Sequence, residues 1–142
     1  MMMKDQNNSD LENVCRELAG VFPEILSWQW DNRLETVLAE FGVDNKNRVH
    51  ATIERNLGNT WDSSTIAKAP GIVQEITSHL GGLMSGQLFF ATDPSLEAVI
   101  FCAWWPWGDG KTISIRIAPS YKKLSDSEKA EQIKLFKGWF GI

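Results

Sequence analysis

A ten-residue apolar run, a Gly-Asp-Gly turn and a clean alternating strand follow one another in AVIFCAWWPWGDGKTISIRIA, residues 98–118, and no other segment constrains the fold as firmly. Asp109-Gly110 between apolar strands reads as a two-residue type I′ turn. That turn pairs Gly108 with Lys111, Trp105 with Ser114 and Trp104 with Ile115. Side chains alternate across a strand, so Ile113, Ile115 and Ile117 share the core face with Cys102 and Trp104. The opposite face then carries Phe101, Trp105 and Trp107 beside Thr112, Ser114 and Arg116. If Gly108 joins the turn instead, the register slips by one residue, Trp105 enters the core and Trp104 takes its place outside. A bland reading competes with both: an aromatic strand in mid-sheet is commonly core, covered by helices on each side.

The rest of the chain reads as helices first and sheet later. Ser9-Asp10-Leu11-Glu12 has the form of a capping box, followed by an apolar stripe of Leu11, Val14, Cys15 and Leu18 that ends near Gly20. Leu34, Val37, Leu38 and Phe41 give residues 32–41 helical spacing, with Gly42 as a left-handed stop. Between these two units, Leu26-Ser27-Trp28-Gln29-Trp30 alternates with period two, which suggests a short strand near 25–30 or a loop with two Trp anchors. Asp44 is expected to cap a third helix that Gly58 ends, and a fourth starts at Ser64 or Pro70 and stops at Gly81-Gly82. Strands over 86–92, 97–105 and 111–118 then form an antiparallel meander. A second capping box, Ser125 to Glu128, opens a last helix whose stripe of Ala130, Ile133, Phe136 and Phe140 docks on the sheet. The expected fold is α+β: N-terminal helices, a three-stranded antiparallel β-meander with a fourth short strand near 25–30 as an option, and a C-terminal helix packed on the sheet. Residues 1–8 are expected to be a disordered tail and 9–142 a single domain.

With 142 residues, the chain can bury roughly two thirds of its unfolded surface around one core. Its longest apolar run is half the length needed to span a bilayer, and the polar opening lacks an apolar signal region, so no membrane segment and a cytoplasmic location are expected. Cys15 and Cys102 lack metal-ligand spacing and are expected to be reduced and buried. The net charge of −4 is unevenly spread: residues 1–110 hold seven Lys and Arg against fifteen Asp and Glu, giving −8, whereas 111–142 hold seven against three, giving +4. An acidic body argues against nucleic acid as the partner, although basic side chains beside Trp105 and Trp107 have the elements of a single-strand site.

No catalytic or cofactor signature emerges. His50 and Glu54, like Glu75 and His79, are four residues apart and can share a helix face, but a metal or acid/base site needs both pairs to converge and further ligands besides. Ser85 lacks the frame of a nucleophile elbow, and the Gly81-Gly82 and Gly86 glycines lack the pattern of a phosphate loop. No catalytic residue, cofactor or metal is therefore assigned. The expected function is a non-catalytic binding or inhibitor-type module that engages a protein partner through Trp105, Trp107, Arg116, Phe101 and Ser114. Two alternatives stand beside it: a small-molecule or sugar binder using the Trp105/Trp107 face, and an enzyme whose site is assembled only by the fold.

Overall fold

The computed structural model describes residues 2–142, with side-chain surroundings from Ser9 onward, and the tail expected over residues 1–8 lies outside that range. The chain runs α1 (Met2–Gly20), β1 (Gln29–Asp31), β2 (Thr36–Gly42), α2 (Lys46–Leu57), β3 (Asn59–Asp62), α3 (Gly71–His79), β4 (Leu88–Ala91), β5 (Ala98–Pro106), β6 (Thr112–Tyr121) and α4 (Asp126–Trp139). Two 3-10 turns, Val43–Asn45 and Ile66–Lys68, sit between these elements. All strands join one antiparallel sheet in the order β1-β2-β6-β5-β4-β3.

The class is α+β, but the three-stranded meander is overturned by a six-stranded sheet. The largest error is at 32–41, which forms the turn and second strand of a hairpin rather than a helix. Alternation with period two explains it once the residues are paired: Val37, Ala39 and Phe41 face the core opposite Ile117, Ile115 and Ile113. That alternation coexists in the sequence with the helical spacing of Leu34, Leu38 and Phe41, and the exposed edge of β6 selected the strand. Gly42 accordingly has φ of −76° and is no left-handed stop. The short strand anticipated near 25–30 exists as β1, at one edge of the sheet. At the other edge β3 was missed, because four residues with a single large apolar side chain carry almost no periodic signal.

Two further boundaries differ. Helix α1 runs through Ser9 instead of starting there, and Asp44 lies in a 3-10 turn while Asn45 takes the N-cap position of α2. Elsewhere local chemistry set the ends as expected. Gly58 closes α2 at φ of +79°, a left-handed conformation that side chains with a Cβ rarely adopt, and its N–H donates to the Glu54 carbonyl. Ser125 and Glu128 form the reciprocal capping box at the start of α4.

Packing divides the molecule into two cores separated by the sheet. Helices α1, α2 and α4 cover one face, where Cys102, Trp104, Ile113, Ile115 and Ile117 meet Leu18, Ile53 and Phe136. Helix α3 covers part of the other face, burying Phe89, Val99, Phe101 and Ala118 against Val73. Strand β5 therefore reads as a continuous apolar run because it is buried on both sides from Ala98 to Trp104. In α4 the buried stripe is Phe136, Trp139 and Phe140; Ala130 is exposed and Ile133 only half-buried, which corrects the expected stripe. Cys15 and Cys102 are free and buried, and burial pushes both thiols well above the usual range, so neither supplies a reactive thiolate. Among the described residues, no helix is long and apolar enough to cross a membrane.

Candidate functional site on the open sheet face

The β5–β6 hairpin has the expected register, with Trp105 opposite Ser114 and Trp104 opposite Ile115. Its turn does not. Asp109 keeps a negative φ while Gly110 is at +69°, whereas a type I′ turn needs positive φ at both positions. The loop instead closes with Gly110 N–H donating to the Trp107 carbonyl at 3.3 Å and Trp107 N–H donating to the Thr112 carbonyl at 2.8 Å. Asp109 clamps it: Oδ1 accepts from the backbone N–H groups of Lys111 at 2.8 Å and Thr112 at 3.0 Å, and Oδ2 accepts from the Thr112 hydroxyl at 3.0 Å. The Lys111 and Thr112 donors hold the Asp109 carboxyl below the usual carboxylate range. A four-residue loop in the same register as a two-residue one leaves every later pair unchanged.

On the face covered by α3, the second core ends at Phe101 and Ala118, and the next residues toward the hairpin tip lie outside it. Phe101 belongs to that core, stacked on Phe89 with ring centres 5.4 Å apart, so the structure does not bring it to the surface with the tryptophans. Ser114, Arg116 and Trp105 do come together. The Ser114 hydroxyl donates to the Trp105 carbonyl at 3.4 Å, and the Arg116 guanidinium lies 5.1 Å from the centre of the Trp105 ring. Trp105 is half-buried by these contacts. Trp107, at the tip, is 46% exposed, and the other six of the seven tryptophans are buried or half-buried.

Arg116 is not a free cation. Its Nη1 donates to Asp31 Oδ2 across the intervening strand β2, and the two side chains are only 11% and 16% exposed. The Arg116 hydrogen bond, helped by the N–H groups of Arg33 and Leu34, holds the Asp31 carboxyl below its usual range. The pair fixes the guanidinium under Trp105, so Arg116 supports the indole rather than meeting a ligand. Leu38, paired with Arg116, and Glu40, paired with Ser114, extend the same face from β2. Sequence reasoning missed Leu38 and Glu40 because it placed 32–41 on a helix, and missed Asp31 because, without β2 between them, nothing brought the end of β1 to Arg116. The usable signal was the alternation of Trp28-Gln29-Trp30 running into Asp31, a residue type that starts turns.

The two histidines do not converge. His50 packs edge-on against Phe90 and Trp104 on the face covered by α1, α2 and α4, whereas His79 lines a cleft with Phe101 and Ala118 on the other face. Among the described residues, no group of three His, Cys, Asp or Glu side chains is placed to hold a metal ion. The chain matches no family model, no curated protein and no solved structure. Function is therefore argued from the chemistry of the residues themselves.

Proposed function

We propose that this chain is a non-catalytic binding module that docks a protein partner through Trp107 and Trp105. The exposure of Trp107 carries the reading, since a rigid indole held open at a clamped hairpin tip is the kind of side chain that anchors protein interfaces. Half-buried Trp105 and Leu38 lie on the same sheet face and add apolar area beside it. Docking there costs little ordering entropy, because Asp109 already fixes the loop and Arg116 already fixes the inner indole. Glu40 at the rim and the net charge of −4 favour a partner with basic residues around an apolar centre. A sugar or planar ligand would gain most in a concave site. The clefts lined by His50 and His79 include neither indole.

Trp107→Ala is expected to change folding stability by no more than about 1 kcal/mol, because the side chain belongs to neither core and nearly half of it is exposed. The same change should weaken partner binding by at least about 2 kcal/mol, roughly thirtyfold, if Trp107 is a central anchor. Urea melts together with capture of a stoichiometric protein from the source cell, using native and variant protein side by side, check both numbers. Equal capture by the two proteins would remove Trp107 from the interface.

A further inference from the structure

Where α3, the end of β6, the β1–β2 turn and α4 meet, a cleft of about 400 Å³ opens on the same sheet face but away from Trp107. Its volume is within the range of small-molecule sites, and it lies at a junction of several elements, where such sites are common. The floor is apolar: Phe101 and Ala118 of the sheet, Ile76 and Leu80 of α3. The rim is polar and carries Glu35, Glu75, His79, Tyr121 and Lys129.

The rim groups are uncommitted. Neither Glu35, Glu75, His79 nor Lys129 has a side-chain hydrogen bond or ion pair among the described residues, in contrast to Asp31, Asp62, Asp93 and Asp109, each of which is tied to its own turn or to Arg116. Glu75 and His79 are four apart on α3 and so share the helix face that looks over the floor. Glu35 reaches the rim from the β1–β2 turn, where it has φ of +55°. Burial against the core under α1, α2 and α4 raises the Tyr121 phenol to about 12, so it stays a neutral group at the cleft margin, and among the described residues its hydroxyl donates to Gln132 Oε1 at 3.3 Å. Two carboxylates against one ammonium give the rim a net negative charge.

We propose that this cleft binds a small apolar organic ammonium, with the hydrocarbon body on Phe101, Ile76 and Leu80 and the cationic head between Glu35 and Glu75. The body gains from leaving water and the head from charge-assisted hydrogen bonds, and both contributions are needed because Lys129 on the rim disfavours a bare cation. This site is separate from the protein-docking surface at the hairpin tip and stands whether or not that surface has a partner.

Tyr121 is the sole tyrosine of the chain, so 13C-labelled tyrosine gives one ring signal that reports on this cleft. Phenethylamine and a panel of one- and two-ring primary amines are titrated against that signal, with phenylpropionate and 2-phenylethanol as the anionic and neutral counterparts. The expected result is a saturable shift with members of the amine panel and none with the other two. Glu75→Gln and Glu35→Gln should each weaken the amine by about tenfold, the loss of one charge-assisted contact, with melting temperatures confirming that both variants fold. No response to any amine, equal or tighter binding of phenylpropionate, or amine binding unchanged by both Gln variants would overturn the proposal.

Discussion

Removing residues 124–142 is expected to abolish cooperative folding. Helix α4 has little reason to form alone, since its exposed face is highly charged and an isolated helix of this length is marginal in water. Its contribution comes from three aromatic rings. Phe136 is fully buried, Trp139 and Phe140 nearly so, and Phe140 meets Trp28 edge-to-face at 4.9 Å while Lys137 lies 4.7 Å from the Trp30 ring. These contacts tie the last element to β1 and the residues leading into it, so the truncation opens the core beneath that side of the sheet. Phe136→Ala alone should cost roughly 3–5 kcal/mol, a large part of a typical margin of about 5–15 kcal/mol. Leu135→Ala, on the solvated side of the same helix, should cost less than about 1 kcal/mol. Chemical denaturation of the two point variants and size-exclusion of the truncated chain check this. A shortened protein that stayed monomeric and unfolded cooperatively would make α4 an appendage.

Asp31→Asn is expected to destabilise the protein by roughly 2–4 kcal/mol, above the value of a surface pair because it leaves the Arg116 guanidinium largely buried without a counter-charge. Asparagine keeps a side-chain oxygen for the N–H groups of Arg33 and Leu34, so the turn is preserved and the charge is what is lost. Adding Arg116→Met should then recover most of the loss, since removing both charges removes the desolvation penalty, and Arg116 Nε has no acceptor among the described residues even in the native protein. The pH dependence has a definite sign. The folded-state pKa of Asp31 is depressed, so its stabilisation is complete above the unfolded value and is lost as pH falls through the folded one. The deficit of Asp31→Asn should be constant above about pH 5 and shrink below about pH 4. A deficit that persisted unchanged at acidic pH, or a double variant no more stable than the single, would show that the pair does not act through charge.

The sequence was most legible where local chemistry and long-range packing ask for the same thing. In 98–118 the turn, the alternation and the burial agree, and the register of β5 on β6 followed from Asp109-Gly110 even though the turn itself has a different backbone. The caps at Gly58 and Ser125 were readable for the same reason. In 32–41 the requirements diverge: the side chains satisfy both a helical and a strand period, and only the unpaired edge of β6, nearly eighty residues away, decides. That single ambiguity also hid half of the candidate site. Arg116 looked like a free cation beside two indoles because its partner, Asp31, reaches it only across β2, the strand that had been read as a helix. Phe101 was placed on the correct face, but the sequence gives no sign of where α3 stops covering that face, and the boundary separates Phe101 from Trp105.

Photo-crosslinking from position 107 in the source cell tests the docking claim most directly. A photoreactive phenylalanine analogue replaces Trp107 in one experiment and Met84, a 67% exposed side chain elsewhere on the surface, in a second. The account predicts one dominant covalent adduct with another protein from position 107 and none of the same mass from position 84. No adduct from position 107, or the same adducts from both positions, would contradict it.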